Sequence, residues 1–120
     1  MNSLQVTVDG SEGRHVPVVV CAVGDIDLAT APALEAAIAE GIKAASETTN
    51  RRLIIDLGGI TFCGSVGATA LVNGQDDADA RDVKLCVVAV GVMRRLLQLT
   101  KIDALLDVRN TMEDARDCLS

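Results

Sequence analysis

Leu53-Ile54-Ile55-Asp56-Leu57-Gly58-Gly59-Ile60-Thr61-Phe62-Cys63-Gly64-Ser65-Val66-Gly67-Ala68-Thr69-Ala70 is the stretch that decides the fold. Leu53, Ile54, Ile55 and Leu57 form a nearly unbroken aliphatic run, the pattern of a strand covered on both faces and central in a parallel sheet. Gly58, Gly59, Gly64 and Gly67 then predict a glycine-rich turn, and Ser65 is the expected N-cap of a following helix. A phosphate on the Ser65 hydroxyl would meet the positive end of the helix dipole and be held there without melting the helix. The plain alternative is that Ser65 caps a helix and does no chemistry.

Enzyme readings of this turn each fail on a residue. Gly59 to Ser65 has the glycine spacing and hydroxyl of a phosphate-binding P-loop, but no lysine stands between Gly64 and Ser65 to reach the outer phosphates. Cys63-Gly64-Ser65-Val66-Gly67 approaches a nucleophile elbow, yet Cys63 occupies the place of the first glycine. The only histidine, His15, lies upstream, so a hydrolase triad has no base in the expected order.

Working outward, 120 residues fit one domain spanning 1–120, long enough to fold without covalent staples. Hydrophobic residues at 49% and charged residues at 23% describe a globular chain, and with Phe62 the single aromatic its core must be aliphatic. A net charge of −6 repels phosphate backbones and anionic lipid, which argues against nucleic acid and membrane as partners. The longest apolar run, Val16 to Val23, contains Pro17 and falls far short of the roughly 20 residues that span a bilayer. Met1 to Gly10 shows no basic region followed by an apolar one, so no signal peptide is expected. Cys21, Cys63, Cys86 and Cys118 lack C-x-x-C pairing and nearby histidines, so neither a metal site nor any cofactor is expected. Unpatterned thiols and no leader point to a reducing cytoplasm. Cys63 and Cys118 are the two candidates for redox chemistry.

In chain order, Leu4, Val6 and Val8 alternate with polar residues, as in a half-exposed strand, and Asp9 to Gly13 reads as a turn into a second strand over Val16 to Val23, forming a hairpin. Gly24 to Asp27 breaks that strand, and Thr30 with Pro32 starts a helix whose stripe is Leu34, Ile38, Ile42 and Ala45. The helix opened by Ser65 turns Val66, Ala70, Leu71, Gly74 and Ala78 inward and ends among Asp76, Asp77, Asp79 and Asp82. That acidic end is read as a solvated face, with attraction to a basic partner as the alternative. Lys84 to Val90 is a further buried strand, giving a parallel crossover. A helix from Gly91 turns Met93, Leu96, Leu97 and Thr100 inward and Arg94, Arg95 and Lys101 outward. Leu105 to Val108 suggests a short edge strand, and Thr111 to Asp114 a capping box that opens a last helix. The expected fold class is α/β: an open mixed sheet of four to five strands, begun by a hairpin, with about four helices packed on it.

Three segments carry a resemblance. Gly24-Asp25-Ile26-Asp27-Leu28-Ala29-Thr30-Ala31-Pro32, the Ile54 to Leu71 stretch, and Val92 to Val108 resemble, in that order, segments of STAS domains of the anti-sigma-factor antagonist family. The resemblance covers essentially the whole chain. It implies a binding switch and no catalysis: the unphosphorylated domain binds an anti-sigma factor that is also a serine kinase, and a sigma factor is released. Phosphorylation of the signature serine, matched here by Ser65, ends the association, and a phosphatase reverses it. The implied partner patch is Asp25, Asp27, Thr61, Gly64, Ser65, Val66 and Gly67, with Asp27 either accepting bonds from a basic partner residue or capping the next helix.

Three positions depart from the family pattern. Gly64 stands where the family usually has aspartate, and Val66 where a second hydroxyl often follows, which removes a negative charge beside Ser65. Lys101 stands where glycine is frequent. The alternatives are an antagonist that works without phosphate, tuned by oxidation of Cys63 or Cys118, and a STAS sensor or scaffold module that binds a small ligand.

Overall fold

A computed structural model describes residues 3–9 and 17–119. The turn read over Gly10 to Gly13, together with His15 and Val16, lies outside the described residues. Five strands stand side by side in chain order, β1 (Leu4–Asp9), β2 (Val18–Ile26), β3 (Arg52–Cys63), β4 (Lys84–Val88) and β5 (Val108–Arg109). β1 pairs antiparallel with β2, and every later pairing is parallel. The helices are α1 (Ala31–Ser46), α2 (Ser65–Ala80), α3 (Gly91–Leu99) and α4 (Met112–Leu119), with a 3-10 turn over Ile102–Ala104. This is the mixed α/β sheet expected, with the hairpin at one edge.

Strand periodicity sorts the core into two layers. Val18, Val20 and Ala22 of β2, Leu53, Ile55 and Leu57 of β3, and Leu85 and Val87 of β4 pack with Leu34, Ile38, Ile42, Leu71, Met93 and Leu97. Ile54, Cys86 and Val88 point the other way, against Ala115 and Leu119 of α4. β3 is therefore sealed on both sides, which its unbroken aliphatic run requires.

The two glycines after Leu57 do not make a turn. β3 runs through Gly58 and Gly59, and its pairing with β2 slips twice, between Cys21 and Val23 and again between Gly24 and Asp25. Each slip gives β3 an extra residue, the signature of a bulge, and small residues accommodate it. A Cβ on Gly59 would come within 2.9 Å of Val23 Cγ2. The sheet thus reaches six residues beyond Leu57 before the chain turns.

Other boundaries differ in smaller ways. β4 ends at Val88, not Val90, and the edge strand is Val108–Arg109, because Leu105, where it was expected to begin, closes the 3-10 turn over Ile102–Ala104. Thr100 is exposed, because it closes α3 with its hydroxyl on the Leu96 carbonyl at 2.8 Å. Arg94 is half-buried, with Nη1 enclosed, while Arg95 and Lys101 face solvent. Val66, expected to turn inward, is half-buried. At α4, Thr111 Oγ1 accepts the Asp114 amide at 3.0 Å, the forward half of the expected capping box.

Candidate functional site

The C-terminal ends of β2 and β3 set the site. Ile26 and Cys63 are paired at the last register position, and the Gly64 amide donates to the Ile26 carbonyl at 2.9 Å. The two loops that leave these strands are therefore locked together before either helix begins. Gly64, extended at φ −81° and ψ 169°, is the N-cap residue of α2. Ser65 is the first helical residue and is exposed, so the expectation that it caps the helix gives way by one position. It stands exposed at a helix start, at the positive end of the dipole.

The preceding loop is a tight, self-bonded turn. Asp27 Oδ1 accepts the amides of Ala29 at 2.9 Å and Thr30 at 3.0 Å, and its carbonyl accepts Ala31 at 2.8 Å. Thr30 Oγ1 in turn donates to the Asp25 carbonyl and accepts the Asp27 amide, both at 2.9 Å. The Asp27 carboxylate thus holds the turn ahead of α1, where Thr30 is the N-cap residue. With its backbone bonds satisfied locally, the turn projects Leu28 into solvent.

An open cleft of about 440 Å³ lies between the two loops, lined by Asp27, Leu28, Ala29, Phe62, Gly64, Ser65 and Val66. Four of the seven expected patch residues, Asp27, Gly64, Ser65 and Val66, meet there. Asp25 and Thr61 do not line it: they bond each other across β2 and β3, Thr61 Oγ1 to Asp25 Oδ1 at 2.8 Å. Gly67 is buried behind it, where a Cβ would strike Cys63 Sγ and lie 3.0 Å from Ile26 Cγ2. Its smallness lets α2 seat against the strand ends.

Leu28, Ala29 and Phe62 were missed from the sequence. Leu28 is 83% exposed and Phe62 51% exposed, and together they give the cleft an apolar floor and rim. The available signal was two large apolar residues, Leu28 in a polar loop and Phe62, the only aromatic of the chain, between Thr61 and Gly64 at a strand end. Cys63, beneath the cleft, donates from Sγ to the Gly64 carbonyl at 3.2 Å, and burial pushes its thiol up to about 11. It rests as the protonated, weakly nucleophilic form.

The STAS domain model matches residues 6–115. The chain belongs to the STAS family. Anti-sigma-F factor antagonist RsfB of Mycobacterium tuberculosis is 39% identical over 116 residues, covering 95% of this chain and 88% of that one. An anti-sigma factor antagonist from Mycobacterium paratuberculosis superposes with a TM-score of 0.83 at 32% identity, covering 98% of this chain and 94% of that one. The Bacillus cell fate determinant SpoIIAA in its phosphorylated form shares the fold, with a TM-score of 0.65 at 18% identity over 98% of this chain and all of that one. Within the STAS fold the Ser65 cleft sits at the carboxyl ends of two adjacent parallel strands, a usual place for a site on an open α/β sheet.

Proposed function

We propose that this STAS domain is an anti-sigma-factor antagonist that uses the Ser65 cleft to bind a serine-kinase type of anti-sigma factor, releasing a sigma factor. Phosphorylation of Ser65 by that kinase ends the association, and a phosphatase restores it. The domain acts in the cytoplasm as a binding partner with no catalysis of its own. The observation that carries the reading is an exposed serine at the first position of a helix, beside an apolar cleft, in a chain 39% identical to an anti-sigma-F factor antagonist. A docked protein would cover Leu28 and Phe62 and dehydrate the Ser65 hydroxyl. A dianionic phosphate there resists dehydration and is repelled by any acidic group facing it, so release needs no refolding.

The test is incubation with ATP and a kinase-type anti-sigma factor from the same cell, followed by Phos-tag electrophoresis. A retarded band absent from Ser65→Ala is expected. Gly64→Asp should speed its formation, because it restores the carboxylate usual in the family, and a Cβ at position 64 meets nothing nearer than the Ile26 carbonyl oxygen at 3.8 Å. An unshifted band identical to that of Ser65→Ala would remove the phosphate switch. Gly64 itself favours the second reading, an antagonist whose binding is independent of phosphate. Under that reading Ser65→Glu binds the partner as tightly as the parent protein; under the first it binds at least ~10-fold more weakly.

A further inference from the structure

On the face of the sheet away from α1, α2 and α3, Cys118 of α4 lies beside Cys86 of β4. Both sulfurs and one Asp107 carboxylate oxygen fall within 4.8 Å of one another. Cys118 Sγ donates to Asp107 Oδ2 at 2.6 Å and accepts from Arg109 Nη2 at 3.3 Å. Arg109 Nε also holds Asp107 Oδ1 at 2.9 Å. The two thiols are unlike. Cys118 is half-exposed, its sulfur reachable from solvent and held between Asp107 and Arg109. Cys86 is fully buried, and burial, followed by the nearby Asp107, pushes its thiol up to about 12, so it waits as the protonated form.

We propose that Cys118 and Cys86 form a reversible disulfide in response to a peroxide, stapling α4 to the central sheet. The Cys118 sulfur attacks the peroxide O–O bond, giving a sulfenic acid, and its proton goes to the departing hydroxide, giving water. The Cys86 thiol then displaces hydroxide from that sulfenic acid, forming the S–S bond and a second water. The two sulfurs are oxidised by two electrons in total and the peroxide is reduced by two. Rotation of the half-exposed Cys118 side chain, with a small shift of the short terminal helix, brings the sulfurs to bonding distance.

The staple lies toward the start of the parallel strands, away from the Ser65 cleft at their ends. Lys84 Nζ reaches the Cys118 carbonyl at 3.3 Å, and Lys84 pairs with Arg52 at the start of β3, whereas Ser65 follows the end of that strand. Oxidation should therefore raise stability and leave Ser65 chemistry alone, so this inference stands apart from the proposed partner switch.

Reduced, desalted protein is treated with hydrogen peroxide, alkylated with iodoacetamide and digested with trypsin without reductant. The expected product is peptide 85–94 joined to the peptide that begins at Asp117, with a melting temperature higher by roughly 5–15 °C that dithiothreitol reverses. Cys118→Ala should abolish both the linked peptide and the shift. Cys86→Ala should leave a Cys118 sulfenic acid that dimedone traps. Cys86 alkylated as a free thiol after peroxide treatment, a link through Cys21 or Cys63, or a bond between two chains would each overturn the proposal. Because Cys118 is half-exposed, its variant keeps the test valid even if the buried Cys86 variant folds poorly.

Discussion

Phe62 and Leu28 are placed where their side chains gain little for folding. Both leave much of their apolar surface in water, Leu28 83% exposed on a turn bonded through Asp27 and Phe62 51% exposed near the end of β3, where the sheet pairing needs neither side chain. Large apolar groups flanking an exposed serine are suited to be anchors for a partner, since such residues carry most of the energy of an interface. Phe62→Ala and Leu28→Ala are each expected to weaken partner binding about 10- to 100-fold, read by isothermal titration. Their unfolding free energies should stay within about 1 kcal/mol of the parent, measured by urea titration. Unchanged affinity in both variants would move the interface away from this cleft. Ser65 and Asp27 were legible because their motifs announce them. Leu28 and Phe62 were not, because a single exposed apolar residue in a loop or at a bulged strand end has no periodicity to set it apart until the fold brings two of them together.

At the scale of elements, helices and strands with a regular apolar period were readable, and their ends were not. The stripe Leu34, Ile38, Ile42 and Ala45 is buried as its spacing requires. Gly58-Gly59 reads as a turn, because the bulges that absorb it are set by the slipping register of β2, which the local sequence does not carry. The same limit explains Lys101. Its place in the sequence suggests a helix end, and the structure shows the reason glycine suits it: at φ +61° and ψ 16° it is the left-handed residue that closes α3. A side chain pays a steric cost there that glycine avoids. Lys101→Gly is expected to stabilise the domain by about 0.5–1 kcal/mol and raise its melting temperature by about 2–5 °C, followed by circular dichroism. A fall in melting temperature would show that the lysine stem contributes more by packing than its backbone costs.

At the scale of the molecule, the titrating groups with shifted values bound the pH range in which the fold is strongest. Burial alone would raise the Asp107 carboxyl, but hydrogen bonds from Cys118 and Arg109 outweigh it and hold the group below its ordinary 3.8. A depressed folded value means the stability it brings is complete above that ordinary value and is lost as pH falls through the lower one. The thiols act in the opposite sense. Burial raises Cys63 from 9.0 to about 11 and Cys86 from 9.0 to about 12, so the folded chain keeps protons that the unfolded chain gives up. That contribution is complete below pH 9 and is lost as pH climbs through 11 and 12, while the net charge of −6 grows and adds repulsion. Urea midpoints taken under reductant should therefore hold level between about pH 5 and 8.5 and fall on both sides. Asp107→Asn should soften the acid fall and, because the Asp107 charge helps raise Cys86, part of the alkaline one as well, whereas Cys63→Ala should soften the alkaline fall without touching the acid one. An alkaline limb identical in Cys63→Ala would mean that its thiol titrates as freely in the folded protein as in the unfolded chain, and that the strand end beneath Ser65 is more open to water than its packing against Ile26 and Gly67 requires.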